Sequence, residues 1–519
     1  TEEGNKLFRI IAEEVATLVK KYRGSLSGEH GDGRLRGEFI RQMVGDKNYQ
    51  LLKEIKNIWD PHHIFNPNKI VDTPSMNSML RYVPGHFTPE FKTIFRFHQQ
   101  NILQHAEQCN GSGDCRKTHI SGGTMCPSYM ATRDEKDTTR ARANILREYL
   151  TNSNKENRFD HQEIYDVMSL CLSCKACKSE CPSNVDMAKL KAEFLQHYYD
   201  ANGVPFRARL IANFTMVSKL ASFIPTIYNA LVKNKFTSTV IKILSGFAVD
   251  RSLPSISKQT MKSWYVKNKN ALLSNSDKEV YLFCDEFTNY NDAEIGIKAI
   301  KLLTQLGYAV KMIDHDESGR TWLSKGLIRK AQQIANKNID LFSKIIHDHC
   351  PLVGIEPSAI LTFRDEYIDI ATDNNFEAAK QLSKNVFFID EFIAREVDRG
   401  KISAESFTKL ERTIMLHGHC QQKAVGSLSD SIKVLSLPQH YIVSNIPSGC
   451  CGMAGSFGYE KEHYDVSMKI GELVLFPAVR ENHSACTIAA PGTSCRHQIK
   501  DGTSVRALHT VEILYEALI

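Results

Sequence analysis

The sequence is poor in several features that would fix its class at once. Cysteine accounts for 14 of 519 residues, far below the density of a disulfide scaffold. The apolar stretch at 220–232 has 13 residues and contains Pro225, so it is too short to span a bilayer. The net charge is only +6 and no run of Lys or Arg accompanies it, which argues against a nucleic-acid partner.

A signal peptide is also missing, because the chain starts at Thr1 inside an amphipathic helical pattern. This start indicates a piece of a longer protein. A cytoplasmic, reducing setting is therefore expected, and a location on the inner face of the membrane is compatible with it. In that setting clustered cysteines bind metal rather than pair. The cysteines are indeed clustered, with seven between Cys109 and Cys181 and five between Cys420 and Cys495.

Two kinds of pattern divide the chain. The first half is mainly helical, whereas short apolar strands alternate with helices after residue 277, which predicts α/β units. The expected fold class is therefore multidomain, α/β plus α. The predicted boundaries are a first block at 1–71, a linker at 72–94, a cysteine-rich helical domain at 95–204, a helical connector at 205–277, and α/β repeats at 278–400 and 401–519. The amphipathic connector is expected to pack between domains, with peripheral membrane contact at most.

The strongest motif is Cys171-x2-Cys174-x2-Cys177-x3-Cys181-Pro182. Three closely spaced thiolates can bind one four-iron cluster, and the fourth, followed by proline, reaches the other cluster in two-cluster ferredoxins. Zinc sites use two well-separated Cys-x2-Cys pairs, so the unbroken run favours iron–sulfur. One 4Fe–4S cluster is predicted, and a second stays open.

A looser set, Cys109-x5-Cys115-x10-Cys126-Pro127, precedes that motif. By the same exchange rule, Cys126 should complete the cluster of Cys171, Cys174 and Cys177. Cys109, Cys115 and Cys181 then remain for a second cluster. His119 as a further ligand, a three-iron cluster, or simple packing of Cys109 and Cys115 all remain open.

The last 240 residues contain a repeat. Its second copy has Cys420, the adjacent pair Cys450-Cys451 between glycines, and Cys495, with His417 and His419 close in sequence. These residues fit zinc, an iron–sulfur cluster, a dithiol pair or buried thiols. In the first copy Glu317, Ser318 and Ala359 stand at the positions of Cys450, Cys451 and Cys495, so it is expected to be a scaffold.

The first block contains Gly28-Glu29-His30-Gly31-Asp32-Gly33. Histidine can take a proton near neutral pH and glutamate can bind a metal, but the spacing alone is a weak signal.

The segment Gly24–Gly37 resembles the C-terminal cap domain of FAD-linked D-2-hydroxy-acid oxidases and dehydrogenases, which include glycolate oxidase, D-lactate dehydrogenase and D-2-hydroxyglutarate dehydrogenase. Phe65–Ile70 resembles the closing Asn-Pro-Gly-Lys segment of that family, with Asn68 in place of glycine. Cys109–Pro127 followed by Arg140–Asn144 resembles the ferredoxin-like 4Fe–4S domain fused to it in long bacterial members. The two α/β repeats are similar to cysteine-rich CCG domains, which also occur in heterodisulfide reductase subunits.

The resemblance implies roles for single residues. His30 would take the hydroxyl proton of a small 2-hydroxy acid as hydride passes from C2 to flavin N5. Glu29 would bind a divalent metal, and Asn66 would lie near FAD, which is bound mainly by an N-terminal FAD domain before Thr1. The fragment alone is expected to be inactive.

The resemblance therefore implies an FAD-dependent dehydrogenase of D-lactate, glycolate or D-2-hydroxyglutarate that passes electrons through 4Fe–4S clusters to a quinone or a redox protein. Two alternatives belong to other classes. One is an iron–sulfur electron-transfer module without substrate oxidation of its own, and the other is a zinc-stabilised interaction protein.

Overall fold

The structure is a computed structural model that describes residues 2–80, 85, 89–272 and 277–519. It forms two compact units, Thr1–Pro89 and Glu90–Ile519. The predicted linker at 72–94 and connector at 205–277 include residues 81–84, 86–88 and 273–276, which lie outside the described residues.

The α-helices in the described residues of the first unit are α1 (Glu2–Lys21), α2 (Ile40–Val44) and α3 (Asp46–Trp59). Its small core is formed by Ala16, Phe39 and Met76. Arg9 on α1 pairs with Glu38 at 2.5 Å, which ties the first helix to the chain that follows the glycine-rich segment. The glycine-rich segment between α1 and α2 is thereby left at the surface.

The cysteine-rich part of the second unit is helical, as predicted. Its helices are α4 (Ile102–Glu107), α5 (Pro127–Thr132), α6 (Thr139–Asn152), α7 (Gln162–Ser169), α8 (Ala176–Glu180) and α9 (Met187–Asn202). The Thr138 side chain accepts the Ala141 N–H and starts α6, and Asp186 accepts the Lys189 N–H and starts α9.

Five more helices follow: α10 (Phe206–Ala212), α11 (Phe214–Ala221), α12 (Pro225–Lys233), α13 (Lys235–Ser245) and α14 (Met261–Leu272). None of the helices in the described part of the chain has the length and apolar character to cross a membrane.

The first α/β domain has one parallel sheet of four strands in the order β2-β1-β3-β4. Its strands are β1 (Glu279–Phe283), β2 (Ala309–Lys311), β3 (Leu352–Gly354) and β4 (Val386–Phe388), and its helices are α15 (Glu286–Tyr290), α16 (Ala293–Gln305), α17 (Arg320–Ser324), α18 (Ile328–Phe342), α19 (Pro357–Ile360), α20 (Glu366–Ile370), α21 (Phe376–Ser383) and α22 (Ile389–Asp398). β3 is buried along its whole length, as expected for a parallel sheet covered on both faces.

The second α/β domain has a parallel sheet in the order β6-β5-β7. Its strands are β5 (Arg412–Leu416), β6 (Tyr441–Asn445) and β7 (Thr487–Ala489), and its helices are α23 (Cys420–Val425), α24 (Leu428–Leu435), α25 (Tyr464–Leu473), α26 (Leu475–Asn482), α27 (Thr493–Thr503) and α28 (Thr510–Glu516). The seven strands of the two domains alternate with helices, as the sequence predicts after residue 277, and the order β6-β5-β7 repeats β2-β1-β3 of the first domain. Cys420, the Cys450-Cys451 pair and Cys495 follow the carboxyl ends of β5, β6 and β7, where ligands of parallel sheets bind, whereas Cys486 precedes β7.

Candidate metal centres

Four cysteines line one cavity in the helical domain: Cys126, Cys171, Cys174 and Cys177. Cys126 directly precedes α5, whose first residue is Pro127, a favoured start because proline has no N–H to satisfy there. Ser173 and Lys175 have φ values of 52° and 64°, and these left-handed residues curl the loop that holds the other three thiols. The structure thus brings together the four residues that the exchange rule predicts for one cluster.

The size of this group suits a cluster more than a single ion. Among the described residues, no three of these four thiols have their sulfur atoms within 4.8 Å of one another. The ligands of one metal ion crowd around a single atom, whereas a four-iron cluster is a body of several atoms with thiolates at its corners. Burial also raises the pKa of the Cys174 and Cys177 thiols well above their ordinary value, so thiolates here need a bound cation.

A buried cation stands beside this cavity. Arg142 is fully buried, with Nη1 3.5 Å from the sulfur of Cys126, and it donates to the Asp137 carbonyl at 2.6 Å. The Glu180 carboxylate accepts the Thr124 N–H at 2.8 Å and so orders the chain just before Cys126. The sequence does not single out Arg142 as a functional residue. Its spacing offered a signal, because Arg142, Leu146 and Leu150 are four residues apart and therefore share the buried face of α6.

The three other cysteines of this domain are less enclosed. Cys115 is buried and its sulfur accepts the Arg140 N–H at 3.4 Å, while Cys109 and Cys181 are half-buried. Burial raises the pKa of Cys115, and the charges of Cys126 and Cys109 add to this effect, so Cys115 lies near both. His119, which the sequence leaves open as a further ligand, lines a small cavity together with Thr124, Gly449 and Cys450.

The second α/β domain holds a more compact centre. Ligand atoms of His417, Cys451 and Cys495 all lie within 4.8 Å of one another, and all three residues are buried. Hydrogen bonds connect Cys450 to Cys420 and Cys451, and the bond with Cys450 lowers the pKa of Cys420 to about 7. The turn depends on Gly452, whose φ of 96° favours glycine.

His417 is oriented for binding in this centre. Its Nδ1 is 2.7 Å from the Ser448 hydroxyl, and its buried Nε2 has no hydrogen-bond partner. A partner on one ring nitrogen and a free second nitrogen is the usual arrangement of a metal-binding histidine. His419 differs, because its side chain accepts the Gln421 N–H and so caps α23.

The two cysteine centres are neighbours. Helix α8, which carries Cys177, packs against α23, which begins at Cys420. Burial is the largest cause of the raised pKa of Cys174, and the charge of Cys420 is the second largest. A Cβ on Gly449 would stand 3.0 Å from the Gly123 carbonyl oxygen, so glycine allows the loop of the second centre to approach the segment before Cys126.

A buried ion-pair network fixes the cluster loop to the first α/β domain. Asp365 pairs with Lys175, with Lys178 at 2.5 Å and with Lys189 at 2.8 Å, and Lys175 also pairs with Glu366 at 2.5 Å. Lys175 lies between Cys174 and Cys177, so its ion pairs with Asp365 and Glu366 fix the position of the loop that carries these two cysteines. It joins residues 190 positions apart in the chain, which no local sequence pattern indicates.

The first α/β domain has oxygen groups where the second has thiols. Asp285 caps α15 and His419 caps α23, so the first helical residues, Glu286 and Cys420, occupy equivalent positions. An alignment of the two copies by sequence would instead pair Cys420 with Cys284, two residues before Glu286. The Ser318 hydroxyl donates to Glu286 at 2.6 Å. Burial, with the charge of Glu317, raises the pKa of Glu286 to about 7.

The predicted catalytic pair lies at the surface of the first unit. Glu29 Oε1 and His30 Nε2 are 3.5 Å apart, with 86% and 85% of their side chains exposed. Asn66 is also exposed, in a turn where its φ is 43°. The first unit therefore presents these three residues outward.

Two family models describe parts of this chain, an FAD-linked oxidase segment and a 4Fe–4S segment. Residues 1–70 match the family model "FAD linked oxidases, C-terminal domain", and residues 108–186 match "4Fe-4S dicluster domain". These matches confirm the resemblance to FAD-linked D-2-hydroxy-acid dehydrogenases with an iron–sulfur domain.

Similar proteins extend this resemblance over the chain. A D-2-hydroxyglutarate dehydrogenase of Escherichia coli (strain K12) is 26% identical over 99% of this chain and 53% of its own length. One from Pseudomonas putida is 26% identical over 98% of the chain and 53% of its length. A subunit of the anaerobic glycerol-3-phosphate dehydrogenase of Escherichia coli (strain K12) is 24% identical over 62% of the chain and 79% of its length. The chain thus spans about half the length of the D-2-hydroxyglutarate dehydrogenases it matches, and no solved structure matches it.

Proposed function

We propose that the protein is the iron–sulfur part of an FAD-dependent D-2-hydroxy-acid dehydrogenase, with D-2-hydroxyglutarate as its first candidate substrate. D-Lactate and glycolate are the other candidates. One observation carries the proposal: a four-cysteine cavity packs against a second thiol centre, in a chain that matches D-2-hydroxyglutarate dehydrogenases over nearly its whole length.

Each centre has its own group to bind. Cys126, Cys171, Cys174 and Cys177 hold a 4Fe–4S cluster, and Cys109, Cys115 and Cys181 contribute to a second one. His417, Cys420, Cys450, Cys451 and Cys495 hold zinc or a further cluster in a domain of the CCG type. The buried, unpartnered Nε2 of His417 supports a bound metal there.

The chain's own residues would have three tasks in the reaction. His30 takes the hydroxyl proton of the substrate, and Glu29 next to it binds a divalent metal that holds the substrate. Asn66 contacts the flavin, which a separate FAD-binding domain of the same protein supplies. FAD supplies the hydride acceptor, and the clusters supply one-electron carriers.

The order of the centres suggests the route of the electrons. The four-cysteine cavity lies beside the centre of the second α/β domain, where Cys174 and Cys420 are close enough to influence each other's charge. Clusters held in these two neighbouring centres would supply one-electron carriers, and the final acceptor would be a quinone or a redox protein.

The test uses protein that includes the FAD-binding domain. D-2-Hydroxyglutarate, D-lactate and glycolate are mixed with it anaerobically, and flavin absorbance is followed. At least one substrate should bleach the flavin, and no bleaching by any of the three would refute the dehydrogenase proposal. His30→Ala should abolish bleaching and leave the cluster absorbance unchanged, whereas His62→Ala, at another exposed histidine of the same unit, should change neither.

A further inference from the structure

The helices between the cysteine-rich domain and the first α/β domain have an unusual distribution of side chains. Helices normally bury large apolar residues and expose polar ones. Here α11 buries Ser218 and Ala221, and α13 buries Ser238 and Lys242. Val232 is buried and Phe214 is half-buried, but many other large apolar side chains of residues 206–244 are exposed, and the most exposed are Phe206, Leu220, Phe223, Phe236, Ile243 and Leu244.

This exposure is extensive. Phe223, Phe236 and Leu244 are 74%, 78% and 76% exposed; Phe223 lies just after α11, and the other two lie on α13. An accumulation of exposed large apolar side chains marks a candidate interaction site on a protein. We define the exposed apolar residues of 206–244 as the apolar helical face. The sequence predicted that this segment packs between domains, but the side of α11 and α13 that packs carries small and polar residues.

The charges of the segment have one sign. Residues 201–249 contain six Lys or Arg and no Asp or Glu. Two of the six point inward: Arg207 pairs with Glu462, and Lys242 donates to the Val249 carbonyl at 2.6 Å. The four that face solvent are Arg209, Lys219, Lys233 and Lys235.

We propose that the apolar helical face binds the surface of an anionic lipid bilayer, with its apolar side chains in the headgroup–acyl boundary and its lysines at the phosphates. Exposed aromatic and aliphatic side chains flanked by cations, without acidic residues, are typical of helices that lie in a membrane interface. Helices of this length lie on a bilayer rather than cross it. A symmetric dimer through this face would place the same cations against each other, which disfavours a second copy as the occupant.

Vesicle flotation tests the proposal with the whole chain at low salt. Binding is expected to vesicles of phosphatidylcholine with phosphatidylglycerol, and not to phosphatidylcholine alone. The variant Lys233→Gln/Lys235→Gln should bind about twenty-five-fold more weakly, since each cation near a charged leaflet contributes about a fivefold gain. These two exposed side chains can be replaced without disturbing the packing.

Two further variants test whether binding depends on the apolar helical face or on exposed apolar residues anywhere on the protein. Phe223→Gln/Phe236→Gln/Leu244→Gln should abolish binding, whereas Leu410→Gln/Ile442→Gln, at residues 72% and 67% exposed in another domain, should bind like the parent. Absence of binding to anionic vesicles, equal binding to neutral ones, or unchanged binding by the apolar variant would overturn the proposal. So would sedimentation as a dimer that the apolar variant dissociates, because a second copy would then cover the face.

Discussion

The ion-pair network behind the cluster loop gives a sharp quantitative prediction. Asp365→Asn removes a buried carboxylate that contacts Lys175, Lys178 and Lys189, and it leaves buried ammonium groups without full compensation. Breaking a buried ion pair from one side costs about 3–5 kcal/mol. The Asn variant should therefore lose about that much unfolding free energy, and it should lose the cluster absorbance at lower urea than the parent protein.

Asp373→Asn is the matched control. Asp373 pairs with Arg96 at 2.6 Å in the same domain, but 93% of its side chain is exposed. A surface pair of this kind contributes about 0–1 kcal/mol. Urea unfolding followed by far-ultraviolet circular dichroism and by cluster absorbance compares the two variants. Equal small losses would refute the view that the network holds the cluster loop.

The pH dependence of this penalty has a definite sign. Burial alone would raise the pKa of Asp365, but Lys175, Lys189 and Lys178 together lower it well below its ordinary value. A carboxyl with a lowered pKa stabilises the fold above its unfolded pKa of about 4, and this stability is lost as the pH falls. The difference between parent and Asn variant should thus be full at pH 7 and should shrink below about pH 4.

Three further predictions concern the centres themselves. Cys126→Ser should lower the iron–sulfur absorbance at ~400 nm by the share of one 4Fe–4S cluster, while Cys486→Ser, at a half-buried thiol outside the centres, should retain it in full; equal spectra would contradict the four-cysteine assignment. Gly449→Ala should reduce stability by about 1–3 kcal/mol, because its Cβ would press on the Gly123 carbonyl, and parent-like unfolding would show that the two segments separate easily. The pKa of Glu286 is raised to about 7, so the unfolded chain releases this proton at a lower pH than the folded protein does. The parent protein should therefore lose up to about 3 kcal/mol of stability as the pH rises from about 4.5 to about 8, and Glu286→Gln should not show this loss. An unchanged pH profile in the variant would contradict the burial argument.

The sequence predicted the strands and the main helices because their periodicity is local. The seven strand positions, α6 and α9 follow from apolar patterns and turn residues alone. The cysteine spacing likewise predicted that Cys126 joins the Cys171 motif, and the structure places these residues around one cavity.

Other features depend on contacts between distant segments, and for that reason no local pattern indicates them. Lys175 and Asp365 lie 190 residues apart, and their pairing follows from how two domains pack. His119 lies between cysteines in the sequence, which leaves it open as a further ligand of their cluster. In the structure it lines a cavity together with Cys450, which belongs to a distant segment of the chain. The composition of the helical connector likewise does not show which of its apolar residues are exposed: Val232 is buried, whereas Phe223 and Phe236 lie largely at the surface.

The most direct test of the central proposal is a rapid-mixing experiment on protein that includes the FAD-binding domain. D-2-Hydroxyglutarate is added anaerobically, and flavin bleaching, cluster absorbance and the electron paramagnetic resonance of frozen samples are followed in time. The account predicts that the flavin is reduced first and that the signal of a reduced 4Fe–4S cluster then appears, with iron and sulfide present in matching amounts. A colourless domain that contains stoichiometric zinc, or clusters that stay oxidised while the flavin is reduced, would contradict it.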